Sequence, residues 1–219
     1  MSDGYLDIVI RLLDKHRALT QSQLVDQTGI PLSTLSRFLN GLKGSEYVRI
    51  INSFKPFIYS LGPAGARRLG VSPPRYDSSV RALQHVCHRN QALFSLQKTT
   101  ESGVKLIAKT KLYQFGLNPA TTVECGVLIG KELQLLIVDD GGMTRSRIKS
   151  AWEREHKPHK SFDAVRLRNS GRKVILRWCD ACPKMVIFTR DVEAVKKYCS
   201  RYSLSADVHY LSTLWEMGE

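Results

Sequence analysis

The sequence predicts a mixed α/β protein in two parts, and three observations carry that expectation. Residues 19–61 hold a capped helix, a tight turn, an amphipathic helix and two β-rich runs. Residues 79–219 alternate helical and strand-like runs in the order helix, three strands, helix, strand, helix, strand, an α/β pattern. Between them, Gly70-Val-Ser-Pro-Pro-Arg-Tyr-Asp-Ser78 is Pro-rich and nearly free of apolar residues, which marks a boundary. The expected division is therefore residues 1–70, a linker at 71–78, and residues 79–219.

The first part opens with a helix over Tyr5 to His16, whose Leu6, Val9, Ile10, Leu12 and Leu13 form one apolar face. Asp7 and Asp14 keep its other face in water. Thr20-Gln-Ser-Gln23 is a capping box, with Leu19 and Leu24 placed as a hydrophobic staple. Gly29 should end that helix in the left-handed conformation. A further helix starts after Pro31, with Leu32 or Ser33 as its cap. Its Leu35, Phe38, Leu39 and Leu42 fall at i, i+3, i+4 and i+7, a core-facing stripe.

The opposite face carries Ser33, Thr34, Ser36, Arg37, Asn40 and Lys43: short hydrogen-bonding side chains and two cations, with no acid. Tyr47–Ile51 and Phe57–Leu61 flank a turn-like Asn52-Ser-Phe-Lys-Pro56 and read as a hairpin. Two short helices, a tight turn and a hairpin resemble the winged helix-turn-helix domain in its MarR/IclR-like style. The resemblance covers roughly residues 4–70. It implies double-stranded DNA as partner, with Ser33, Thr34, Ser36, Arg37, Asn40 and Lys43 towards the major groove and Arg49 and Lys55 on the hairpin as phosphate or minor-groove contacts. A short helix over Pro63–Leu69, with Pro at its first position, closes this part.

In the second part a long helix runs from a Ser79 cap to about Thr99. Strand-like runs follow at Val104–Leu112, Thr122–Ile129 and Leu133–Asp139, the last two joined by a Gly130-Lys131 turn. Leu133–Val138 is almost wholly apolar, as a central strand covered on both faces must be. A helix from about Thr144 to His156, another from Ser161, a strand at Lys184–Thr189, an Asp191-capped helix and a strand at Val208–Leu211 complete the chain.

Composition narrows the partner. The 219 residues have a net charge of +13. Residues 1–78 hold 10 basic against 6 acidic residues, a net of +4, and residues 79–219 hold 23 against 14, a net of +9. Residues 145–177 alone have 11 Lys/Arg against three acids, with Trp152 inside and Trp178 beside the run. Arg145, Arg147, Lys157, Lys160, Arg166 and Arg168 are therefore expected phosphate contacts, making a salt-sensitive surface. No apolar run approaches the ~18 residues of a membrane span, so a cytoplasmic protein with no membrane partner is expected. Five cysteines argue against a disulfide framework. Cys179-Asp-Ala-Cys182 has half-site spacing for zinc without a second half. His156 and His159 are separated by Pro158, which breaks the helix that would align them.

The second part resembles the replication-relaxation proteins of plasmids and other mobile elements, including MobC-type mobilisation proteins, which pair a winged helix with a restriction-endonuclease-like domain. The resemblance rests on Leu83-Gln-His-Val-Cys-His-Arg-Asn90, Gly116-Leu-Asn-Pro-Ala120, Leu136–Thr144 running into Arg147-Ile-Lys149, and Met185–Asp191. It implies a site-specific DNA-binding homodimer acting in replication, mobilisation or its transcriptional control, with relaxosome or replication proteins as partners. In the family's nuclease pattern a Pro-Asp opens the second strand, an acid ends the third, and a Lys follows. Here the first motif reads Asn118-Pro119-Ala120, leaving Glu124 as the acid on that strand. Asp139 or Asp140 is the second acid, and Lys149 on the next helix is the candidate Lys.

Two carboxylates and a Lys are what a divalent cation needs to act on a scissile phosphate. Glu124 and Asp139 would then hold Mg²⁺ or Mn²⁺; DNA binding by itself requires no cofactor. The competing reading of Asp139-Asp-Gly-Gly142 is a strand-ending turn and helix cap. Three functions stay open at this level: a non-catalytic DNA-binding factor, a metal-dependent nickase, and an adaptor whose second part binds a protein.

Overall fold

In the computed structural model, residues 3–53, 55–72, 79–100, 103–115, 117, 120–130, 132–156 and 183–214 are described. They form a helical N-terminal unit and a sheet-containing second unit, a mixed α/β architecture. The first unit comprises residues 1–91 with 212–219, and the second residues 92–211.

The first unit contains α1 (Asp3–His16), β1 (Ala18–Thr20), α2 (Gln21–Thr28), α3 (Leu32–Gly41), β2 (Val48–Ile50), β3 (Ile58–Leu61) and α4 (Pro63–Leu69). The capping box forms as the sequence demands. The Gln23 N–H donates to Thr20 Oγ1 at 3.3 Å and the Thr20 N–H to Gln23 Oε1 at 3.0 Å. Gly29 ends α2 at φ 69°, and its N–H bonds the Val25 carbonyl. The cap of α3 is Pro31, with no side-chain bond, rather than Leu32 or Ser33. Pro31 has no N–H to satisfy, and its carbonyl accepts the first helical bond from Leu35 at 2.9 Å.

Strand β1 was not expected. It pairs antiparallel with β3, giving a three-stranded sheet in the order β1-β3-β2. Asn52 organises the hairpin loop, donating to the Pro56 carbonyl at 2.8 Å and accepting from the Ile58 N–H at 2.7 Å. Gly62 is required by close approach, because a Cβ there would collide with the Glu46 carbonyl. Leu6, Val9, Ile10, Leu13, Leu19, Leu24, Leu35 and Leu39 fill the core, each burial stabilising by roughly 1.5–3 kcal/mol.

Helix α5 (Val80–Thr99) is capped by Ser79, whose Oγ accepts from the Ala82 N–H at 3.2 Å. The division between units falls inside this helix, after Gln91, and not at residues 71–78. Its first half belongs to the N-terminal unit for a chemical reason. Asn90, fully buried, donates to the carbonyls of His16 at 3.0 Å and Ala18 at 2.8 Å, while Gln23 Nε2 donates to the Cys87 carbonyl at 2.8 Å. Leu83, Val86 and Cys87 pack with Ala18 and Ile58. Burial pushes the Cys87 thiol up to about 12. Residues 73–78 of the expected linker lie outside the described residues.

The second unit holds the rest of α5, β4 (Val104–Ala108), a 3-10 helix (Lys109–Phe115), β5 (Val123–Ile129), β6 (Glu132–Asp139), α6 (Arg145–His156), β7 (Lys184–Thr189), α7 (Val192–Arg201) and β8 (Ala206–Tyr210). The sheet order is β4-β5-β6-β7-β8; β4-β5 and β5-β6 are antiparallel, β6-β7 and β7-β8 parallel. Strand β6 is central, as its composition requires. Leu136 and Val138 pack with Ala92, Leu93 and Leu96 of α5, whereas Leu135 and Ile137 pack with Ile148, Ala151, Val195 and Cys199 of α6 and α7. The sheet is thus covered on both faces. The run expected to be a strand to Leu112 turns into the 3-10 helix at Lys109, which lets Leu112 bury completely beside Gly126. The helix expected from Ser161 and the Cys179/Cys182 pair lie outside the described residues.

Candidate nucleic-acid interface

Helix α3 presents the expected polar face. Ser33, Arg37 and Asn40 are exposed on it and Thr34 and Ser36 half-buried, while Leu35, Phe38 and Leu39 anchor the helix from behind; Lys43, expected on this face, is exposed in the turn just beyond the helix, which ends at Gly41. Arg37 Nε donates to the Ser33 carbonyl at 3.4 Å, which draws the guanidinium back along the helix surface. Behind α3, the Tyr5 ring of α1 meets Phe38 edge-on, centroids 6.3 Å apart. Arg49 on β2 and Lys55 in the hairpin loop are also exposed. An acid-free, hydrogen-bonding helix face fixed by a core, with cations on an adjoining hairpin, is what base reading and phosphate holding need.

Residues 6–49 match the family model described as the IclR helix-turn-helix domain. The N-terminal segment is an IclR-type DNA-binding domain. Among solved structures the chain is similar to that of TrmBL2, an archaeal chromatin protein whose structure shows a novel mode of DNA binding. Identity is 13%, the alignment covers 94% of this chain and 72% of that one, and the TM-score is 0.24, too low to assign a shared fold. No curated protein matches the chain.

One group in the IclR-type domain escaped the sequence reading. Leu32 is 53% exposed on the first turn of α3. Its spacing to Leu35 would place it on the core stripe, but the helix begins there and the core does not extend beneath it. Two ion pairs engage other charges of this unit. Arg68 holds Asp7 at 2.7 Å, keeping that carboxyl below its usual range, and Arg67 reaches Glu46 at 3.8 Å.

In the second unit, Asp139 ends β6 half-buried and is occupied by its own loop. Its Oδ1 accepts from the N–H groups of Gly141 and Met143, both at 3.1 Å, and its Oδ2 from the Thr189 hydroxyl at 3.1 Å. Lys149 pairs with Glu153 at 3.6 Å and lies 4.4 Å over the Tyr202 ring. Glu124 lies on β5 where the β5-β6 register shifts between Val123 and Cys125; Asp140, beyond the end of β6, is half-buried. Among the described residues, no three His, Cys, Asp or Glu side chains group as metal ligands. The arrangement around Asp139 fits a loop-holding carboxylate.

Of the basic run, Arg147 and Arg154 are exposed on α6, and Arg145 is tied to Asp191 at 3.1 Å. Lys157, Lys160, Arg166 and Arg168 lie outside the described residues, as do His159 and Trp178. Among the described residues, no helix is long and apolar enough to cross a membrane.

Proposed function

We propose that this protein is a site-specific, double-stranded-DNA-binding regulator that acts as a homodimer in the cytoplasm. The acid-free exposed face of α3, carrying Ser33, Arg37 and Asn40, carries this reading. Arg and Asn side chains read guanine and adenine edges in the major groove, and the Lys43, Arg49 and Lys55 cations hold phosphates. Leu32, apolar and exposed at the start of the reading helix, fits the C5-methyl group of thymine. Exposed Arg147 and Arg154 on α6, and the net charge of +8 over residues 145–177, support a second phosphate-binding surface.

Two antiparallel pairings followed by two parallel ones support reading the second unit as restriction-endonuclease-like. Together with the motifs given above, this favours replication, mobilisation or its control on a mobile element, alongside replication or relaxosome proteins. DNA binding in this account requires no metal. The test is selection from random double-stranded DNA by the full chain, followed by affinity measurements over a range of salt. An enriched sequence, bound with an affinity that falls steeply with salt, is the expected result. Failure to enrich any sequence overturns site-specific binding.

A further inference from the structure

The surface of α6 and α7 joins cations to aromatic rings. The two helices together carry seven Lys/Arg and three acids, a net of +4. Ion pairs with Asp191, Glu153 and Glu193 engage Arg145, Lys149 and Lys196. Arg147 and Arg154 on α6, and Lys197 and Arg201 on α7, are exposed. Ile148 and Ala151 of α6 pack in one core with Val195 and Cys199 of α7, which fixes the backbone beneath this surface.

The rings lie where the two helices meet. Trp152 of α6 and Tyr198 of α7 pack half-buried against that core. Tyr202, just past the end of α7, is 38% exposed, and its ring centroid is 4.7 Å from that of Tyr198, the planes tilted by 50°. Lys149 Nζ stands 4.4 Å over the Tyr202 ring, and the Arg201 guanidinium carbon lies 5.6 Å from its centroid. Lys149 comes from the neighbouring helix and is itself half-buried, so it holds the ring from the α6 side. Atoms in full contact approach to about 3.5–4 Å, so Arg201 flanks the ring rather than covering it.

Cations alone would serve for phosphates, and a duplex keeps its bases stacked out of reach of a surface ring. An exposed ring among cations suits a strand whose bases are unstacked. A base lies on the aromatic or guanidinium plane while the cations follow the backbone. We propose that the α6–α7 surface binds single-stranded nucleic acid, with a base stacked at Tyr202 and Arg201 and phosphates on the exposed cations of both helices. Every base has a π-face, so this surface takes strands of any sequence, whereas α3 reads a duplex. The inference rests on the reading of α6 as a phosphate-binding surface and adds the kind of strand which that surface takes.

Fluorescence anisotropy of the full chain tests it, with labelled oligo(dT) and oligo(U) of about 20 nucleotides, neither of which pairs with itself. At least one should bind, with an affinity that falls as salt rises, and the tighter of the two identifies the strand as DNA or RNA. Tyr202→Ala and Tyr202→Leu should each weaken that binding by about tenfold or more, while Tyr202→Phe keeps the ring and stays within about twofold. All three should keep the wild-type circular dichroism and the wild-type affinity for the duplex selected by α3. Failure of both oligonucleotides to bind, or wild-type affinity in Tyr202→Leu, would overturn the inference. The phosphate reading of α6 fails separately: Arg147→Ala combined with Arg154→Ala would then leave affinity and salt slope on unrelated duplex DNA unchanged.

Discussion

The two units use polar residues in opposite ways. On α3 the hydrogen-bonding groups point to solvent and the apolar stripe holds the helix in place. At the end of β6 the acid with the most ligand-like position, Asp139, has its oxygens turned onto Gly141, Met143 and Thr189. The first arrangement leaves chemistry available to a partner; the second spends it on the loop between a strand and a helix. A sequence motif rich in acids therefore says less than a helix face from which acids are missing.

The comparison can be broken most forcefully at its foundation. Leu35 is fully buried beneath α3, and Leu35→Ala should destabilise the protein by about 2–5 kcal/mol in urea unfolding. A negligible change would mean that α3 is not held by its apolar stripe. Asp139→Ala should cost about 1–2 kcal/mol, since its half-buried carboxylate is a hydrogen-bonded loop-holder partly screened by solvent. DNA affinity should be unchanged. Unchanged stability, with loss of a Mg²⁺-dependent nicking activity of the wild type, would reverse the contrast between the units.

A pH titration sharpens the account of the first unit. Burial, then Lys15 and Arg89, lower the His16 pKa from its ordinary 6.5 to about 4. The unfolded chain consequently takes up the proton first. Stability is full above about pH 6.5 and declines as pH falls towards 4, at on the order of 1 kcal/mol per pH unit. His16→Gln should flatten that slope in urea midpoints measured across the window. The smallest effect concerns Leu32. Replacing a contacted thymine by uracil should weaken wild-type binding by about 0.8 kcal/mol, one methyl group's worth, and should leave Leu32→Ala unaffected.

Much of this fold was legible because local chemistry determined it. Thr20 with Gln23, Gly29, the Leu35-Phe38-Leu39 stripe and the apolar run of β6 each have one structural solution, and the structure adopts it. What was not legible depends on distant partners. Strand β1 hides inside the capping box, since Thr20 is both its last residue and the cap of α2. Asn90 assigns half of α5 to the first unit through carbonyls more than 70 positions away. Asp139-Asp-Gly-Gly142 suits both a turn and a metal site, and only the positions of Gly141, Met143 and Thr189 show what occupies the first carboxylate. Leu32, read from the sequence only as a possible cap, is the first residue of α3 and stands exposed.

The central claim is that the exposed face of α3 reads base sequence. Fluorescence anisotropy on the selected DNA, comparing wild type with Arg37→Ala and Asn40→Ala, tests it most directly. Each variant should lose about 1–3 kcal/mol of binding to that sequence. Affinity for unrelated DNA should change little, so discrimination collapses while the fold, followed by circular dichroism, is retained. Undiminished discrimination in both variants would contradict the account and place sequence reading elsewhere in the chain.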